Sequence, residues 1–275
     1  MTDIEKVVQY LDKKGRKEKL IIPDADLRNA NFVGADLNRV DLSGSNLSNA
    51  DLRNVDFTSA NLHGVCLEGA NLSGAVLENA TLSASNLKGA NFTGAKLIRA
   101  KLQGLDFSSA VLLGCDFSGA KLSYSYFRNS KPEYTQFTKA DLSYSDFSNT
   151  IISNANFQLA NFNFANLSNA FISNNVDFKE AILSNANLKG ANICADLSKA
   201  DLTRANLENA TLSGSNLNQS ILLHANLLHA KLIHETLLHA DLSGAELEGT
   251  KMYGAILLDT KIDGCWDIEY LKNDF

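Results

Sequence analysis

From Ile22 to Ile262 a large apolar residue returns at every fifth position, a period that fits neither the 3.6-residue turn of an α-helix nor the two-residue alternation of a flat strand. Of 49 such centres only Pro132 is not a large apolar side chain. The residue two places before each centre is small, and 30 of those 48 positions from Ala25 to Thr260 are Ala. Units such as Ala50-Asp51-Leu52-Arg53-Asn54 and Ala90-Asn91-Phe92-Thr93-Gly94 are typical.

Two apolar side chains separated by one polar residue point the same way on an extended backbone, so Ala and Leu face inward and the Asp or Asn between them faces water. The other two residues must turn the chain, because a straight continuation would place the next pair on the wrong face. Sixteen of the 17 glycines, all but Gly15, lie two residues after a centre, where Asn is the commonest alternative. Both tolerate the positive φ that the third position of a type II turn requires. If each corner turns the chain by a quarter circle, about four repeats close one coil and parallel ladder bonds join it to the next, about 4.8 Å away. About 12 coils then make a rod on the order of 58 Å long, its axis filled with Leu and Phe.

In these residues the chain resembles the pentapeptide repeat proteins, over residues 20 to about 264. The resemblance implies an all-β fold, a right-handed quadrilateral parallel β-helix. Handedness and the count of four repeats per coil come from the resemblance. The expected organisation is a capping helix and lead-in at 1–19, the β-helix at 20–264 and a terminal cap or tail at 265–275. The short helix running into the first coil is similar to the start of many cyanobacterial members.

Two irregularities test the arrangement. The centre spacing is six between Ile172 and Phe178 and four between Ile193 and Leu197, one coil apart, so the insertion and the deletion should stack on the same edge. Pro132 has no N–H for the ladder and predicts a local outward distortion from Lys131 to Tyr134 without loss of the coil.

The ends of such a rod need covers, since a terminal coil exposes apolar core and unpaired backbone. Ile4, Val7, Val8 and Leu11 fall at helical spacing, Thr2 and Glu5 are placed as a capping box, and Gly15 is placed as a stop. The run Lys13, Lys14, Arg16, Lys17 and Lys19 reads as a solvated helix end. Cys265, Trp266, Ile268, Tyr270, Leu271 and Phe275 form an apolar tail that would either cap the last coil or mediate dimerisation.

The chain carries no apolar run of membrane-spanning length and its first 20 residues are highly charged, so a cytoplasmic protein without membrane contact is expected. Cys66, Cys115, Cys194 and Cys265 lack the 20-residue spacing that would stack them, and are expected as free thiols. A formal charge of −6 argues against nucleic-acid binding by phosphate neutralisation.

His224, His229, His234 and His239 invite a metal reading, but five-residue steps put each at a different corner, so they cannot converge on one ion. No metal and no cofactor is expected. Glu235 occupies a position otherwise small and inward, and a rotation of the backbone to expose it is expected. With no partnering acid, base or pocket legible, no catalytic residue and no enzymatic activity are expected.

Two surfaces stand out. Leu223, Leu228, Ile233 and Leu238, each just after a centre, should form an outward apolar belt with Tyr253 and Leu258 on the following coil, covered either by the tail or by a second copy. Read in steps of 20, Tyr124, Tyr144 and Phe164 share one corner and should stack as an exposed aromatic column. Ile151 and Phe171 pair on the next, and Tyr126 starts the face between. The expected function is a non-catalytic scaffold or regulator that binds a protein partner along its faces. The resemblance implies an alternative, since some family members mimic DNA and protect type II topoisomerases such as gyrase. Here the acidic columns Asp36/Asp56 and Asp106/Asp146 are interrupted, and Lys96, Lys101 and Lys121 stand in comparable positions.

Overall fold

In the computed structural model, which describes residues 1–13 and 19–265, the chain coils as the five-residue period requires. Parallel bridges join residues 20 apart along most of the rod, from Ile21 with Asp41 to Asp241 with Lys261. One segment shows why. The Phe32 N–H donates to the Asp51 carbonyl at 2.9 Å, the Asp51 N–H returns to the Ala30 carbonyl at 2.9 Å, and the Ala35 N–H closes the corner onto the Phe32 carbonyl at 3.0 Å. Gly34, at that corner, has φ +67. Arg39 and Asn49 hold φ 57 at equivalent corners, so the turn geometry is imposed by the coil even where a side chain makes it costly. Four such corners per coil give the quadrilateral section.

Through the body of the rod centres and small residues are mostly buried as expected, with Leu27, Leu52 and Leu142 at 0% exposure, whereas in the last coil Ala255 and Leu257 are half-buried and the centre Ile262 is exposed. In the middle of the rod the axis is aromatic. Phe107, Phe127 and Phe147 stack in one column, with 4.9 and 4.4 Å between ring centroids. Phe117, Phe137, Phe157 and Phe178 form a second column at 5.1, 4.8 and 4.8 Å. The two columns meet edge to face, as between Phe127 and Phe137 at 84°. This combines the two ring arrangements that the aromatic quadrupole favours. Where a hydroxyl or thiol replaces the inward Ala, it donates to a carbonyl of the coil below: Ser125 to Leu102, Thr150 to Phe127, Cys115 to Phe92. Each of these three buried groups is thereby satisfied.

The N-terminal helix α1 spans Asp3–Asp12 and carries the expected capping box, the Thr2 N–H bonding Glu5 and the Glu5 N–H bonding Thr2 Oγ1. Val7 is fully buried, Ile4 and Leu11 pack against the core, and Asp3 accepts the Asp26 N–H at 3.0 Å. The helix thus covers the first coil. The stop at Gly15, the basic residues 14 and 16–17 and the apolar tail 266–275 lie outside the described residues.

Both irregularities fall where the spacing places them. Strand β1 (Ile151–Ser153) pairs with β2 (Phe171–Asp177), and β2 pairs with β3 (Asn192–Asp196), all in parallel. Between the pairs Ile172/Ile193 and Val176/Ala195 the register shifts, so insertion and deletion share one edge. Pairing runs 21 apart at Asn156 with Asp177, 19 apart at Ile182 with Asp201, and 20 apart again at Asp196 with Asn216. At Pro132, among the described residues, no bridge joins Val111 or Ile151 to Lys131, while Asp116 with Gln136 and Gln136 with Asn156 hold the adjoining face. Pro132 itself stays buried. Ser130, beside it, keeps its Oγ buried without a partner.

Candidate functional site

Tyr124, Tyr144 and Phe164 occupy one corner on successive coils, with φ of 61, 58 and 59. A positive φ turns each side chain along the rod axis, so the rings pile face to face: 4.9 Å and 5° between the tyrosines, 5.1 Å and 10° from Tyr144 to Phe164. All three are about half exposed. The column reads from the sequence because its period is one coil.

Beyond that corner lies a polar face. Tyr126 is exposed at its start, and Arg128 sits 5.5 Å over the Tyr126 ring while its Nε meets Asp146 Oδ2 at 2.5 Å. Burial pushes the Asp146 carboxyl up, but bonds from Ser148 and Arg128 outweigh it and hold it below the ordinary range. On the far side Ile151 and Phe171 pair in register and are exposed. Two apolar strips therefore flank a polar floor.

The structure adds a neighbour that was not anticipated. Where Pro132 breaks the ladder a groove of about 380 Å³ opens, lined in part by Val111, Leu113, Asn129, Lys131 and Glu133. Val111 and Leu113 are exposed beside it. A reading in steps of 20 would have aligned Val111 with Ile151; the groove itself depends on the ladder opening.

The C-terminal belt differs from expectation. Leu223, Leu228, Ile233 and Leu238 are half-buried, not exposed. Tyr253 and Leu258, at 62% each, carry its exposed part together with Ile256. The four histidines stand at four corners of one coil, each at positive φ. The Nδ1 of His224, His229 and His234 lies within 2.3 Å of the point where a side-chain carbon on Gly244, Gly249 or Gly254 would sit. His239 instead faces Asp259 at 3.6 Å. Among the described residues no group of three or more His, Cys, Asp and Glu is placed to hold a metal ion, and the four described cysteines are unpaired.

Glu235 overturns the expectation of exposure. It is 1% exposed, with Oε1 accepting the Gly214 N–H at 2.6 Å and Oε2 buried without a partner. Burial pushes its carboxyl up, and the Gly214 and Ser215 amides pull the other way.

These features define a class: a parallel β-helix solenoid that carries columns of side chains along its outer faces. The chain belongs to the pentapeptide repeat family, whose Pentapeptide repeats pattern matches it in overlapping segments over 24–131 and 135–259, and the β-helix is right-handed as in that family. The gap between the segments falls at Pro132–Tyr134. Similar solved structures include HetL, a pentapeptide repeat protein involved in heterocyst differentiation regulation from the cyanobacterium Nostoc sp. strain PCC 7120, at 25% identity over 96% of each chain and TM-score 0.28. QnrB1, a plasmid-mediated fluoroquinolone resistance protein, is 18% identical over 92% of each chain with TM-score 0.40. Rfr23, from the cyanobacterium Cyanothece 51142, is 25% identical over 63% of this chain and 91% of that one, with TM-score 0.20. No curated protein matches the chain. No helix among the described residues is long and apolar enough to cross a membrane.

Proposed function

We propose that this protein is a non-catalytic scaffold or regulator that binds a protein partner across the face bounded by Tyr124, Tyr144 and Phe164 on one side and Ile151 and Phe171 on the other. The observation that carries the reading is the exposure of both strips on either side of a polar floor. Aromatic and aliphatic anchors around polar contacts are what protein interfaces use. The acidic columns lend a DNA-mimic role no support. Asp56 is followed by Val76 and then Lys96, and Tyr126 stands between Asp106 and Asp146.

The test is affinity capture from the native host with wild type, Tyr144→Ala and Ile151→Ser, followed by binding measurements on the purified partner. The two variants should each lose at least about tenfold in affinity, the equivalent of about 1.4 kcal/mol. Equal affinity for all three chains would remove this face from the interaction.

A second copy is proposed to associate through the C-terminal coils, where Tyr253, Ile256 and Leu258 are exposed, together with the apolar sequence that follows Asp263. Light scattering should give a smaller mass for a chain ending at Asp263 than for the full chain. An unchanged mass would remove the tail from that role.

A further inference from the structure

Glu235 belongs to the register defect, not to an isolated oddity of one repeat. On this edge of the rod the insertion at Ser173–Val176 lies under the shortened corner at Cys194, which lies under Gly214, and Glu235 follows on the next coil. Corner amides on this edge donate to a carbonyl of the next coil: Gly94 to Leu113, Gly114 to Glu133, and His234 to Tyr253, at 2.8, 2.9 and 2.9 Å. The Gly214 amide donates instead to the Glu235 carboxyl at 2.6 Å. Its φ of +86 stands apart from +64 to +70 at the other corner glycines. The shortened corner has displaced Gly214, and the glutamate side chain reaches down to replace the lost ladder acceptor.

Two further contacts meet at this point. The Cys194 thiol donates to the Gly214 carbonyl at 3.5 Å and packs where a Gly214 side chain would begin. Beside them a groove of about 470 Å³ opens to the surface, lined in part by Asn175, Asp177, Cys194, Asp196 and Gly214. The carboxyl is therefore buried behind a thin wall next to solvent, with one oxygen unpartnered. An ionised carboxylate in that setting would keep its Oε2 without a hydrogen-bond partner, and opening the corner to the groove would hydrate it.

We propose that Glu235 and the Gly214 corner form a proton-operated latch over the register defect. With the carboxyl neutral the side chain stays folded inward against Gly214; when it ionises, residues 213–215 swing out and free the Cys194 thiol from the Gly214 carbonyl. The other titratable groups around the corner are Asp177, Cys194 and Asp196 from the coils below, His234 and Lys231 on the same coil, and Lys251 and Tyr253 above. Among the described residues none makes an ion pair with Glu235, so its charge has no local counter-ion to hold it inside.

Amide hydrogen exchange on the full chain tests this, with protection at Gly214 taken relative to Gly114, a corner of the same kind bonded to a backbone carbonyl. The ratio cancels the intrinsic pH dependence of exchange. From about pH 4 to about pH 8 relative protection of Gly214 should fall, by up to about tenfold per pH unit within the window between the free and the buried ionisation. Glu235→Gln cannot ionise and should hold the ratio flat. Since His234 remains in that variant, a pH response surviving Glu235→Gln would overturn the proposal, as would a flat ratio in the wild type. If Glu235→Gln fails to fold, the wild type still decides through the alkylation rate of Cys194 relative to Cys66. That relative rate should rise several-fold across the same window, and a constant ratio would likewise overturn the latch.

Discussion

His229 leans over Gly249, its Nδ1 only 2.2 Å from the point where a side-chain carbon on that glycine would sit. The same relationship joins Asn49 to Gly69 at 2.5 Å and Asn169 to Gly190 at 2.7 Å. A residue at positive φ directs its side chain along the rod, so it lands on the same corner of the next coil. At some corners the next residue is glycine, which leaves room; at others it stacks, as Tyr144 does on Tyr124, or faces a side chain of opposite character, as Asp259 does His239. Glycine is used here for space as much as for its dihedral freedom.

Gly249→Ala should therefore destabilise the last coils by more than the about 1–2 kcal/mol of left-handed strain alone. Adding His229→Ala should recover the excess but leave the strain. Thermal melts of the two single variants and the double variant measure the coupling; strictly additive losses would show that the ring moves aside freely.

In the core, Phe147 is fully buried and stacks on Phe127 at 4.4 Å. Phe147→Ala should cost about 3–5 kcal/mol, since rigid coils above and below restrict collapse of the cavity. Phe147→Leu should cost markedly less. Urea denaturation of both variants checks the order.

Asp146 is nearly buried and its carboxyl titrates below the ordinary value of 3.8. A depressed folded-state value means that its contribution is complete above the unfolded value and is lost as pH falls through the folded one. Between about pH 5 and about pH 2 the wild type should lose more stability than Asp146→Asn. Urea midpoints across that range would converge on acidification, and a constant gap would mean that the Arg128 and Ser148 bonds do not favour the ionised form.

Stacking along the aromatic column is expected to act alongside any role in binding. A double-mutant cycle of Tyr124→Ala and Tyr144→Ala should return a coupling energy of about 0.5–1.5 kcal/mol by denaturation. No coupling would leave the column without a structural purpose and assign it wholly to recognition.

The period of five by itself determined the strand-and-corner backbone and the Leu and Phe axis; helical spacing with a capping box placed the helix over the first coil, and the family's four repeats per coil stacked Phe171 on Ile151. Even the paired insertion and deletion were legible, because neighbours in this fold are set by counting 20 residues along the chain. What counting could not supply was how far a side chain leans once its neighbours are in place. Leu223 and Leu238 are half-buried, the Pro132 groove opens where the ladder parts around Lys131, and Glu235 turns inward onto the Gly214 amide. Each outcome depends on contacts between coils, which the tertiary structure decides through packing and hydrogen bonding, not through period.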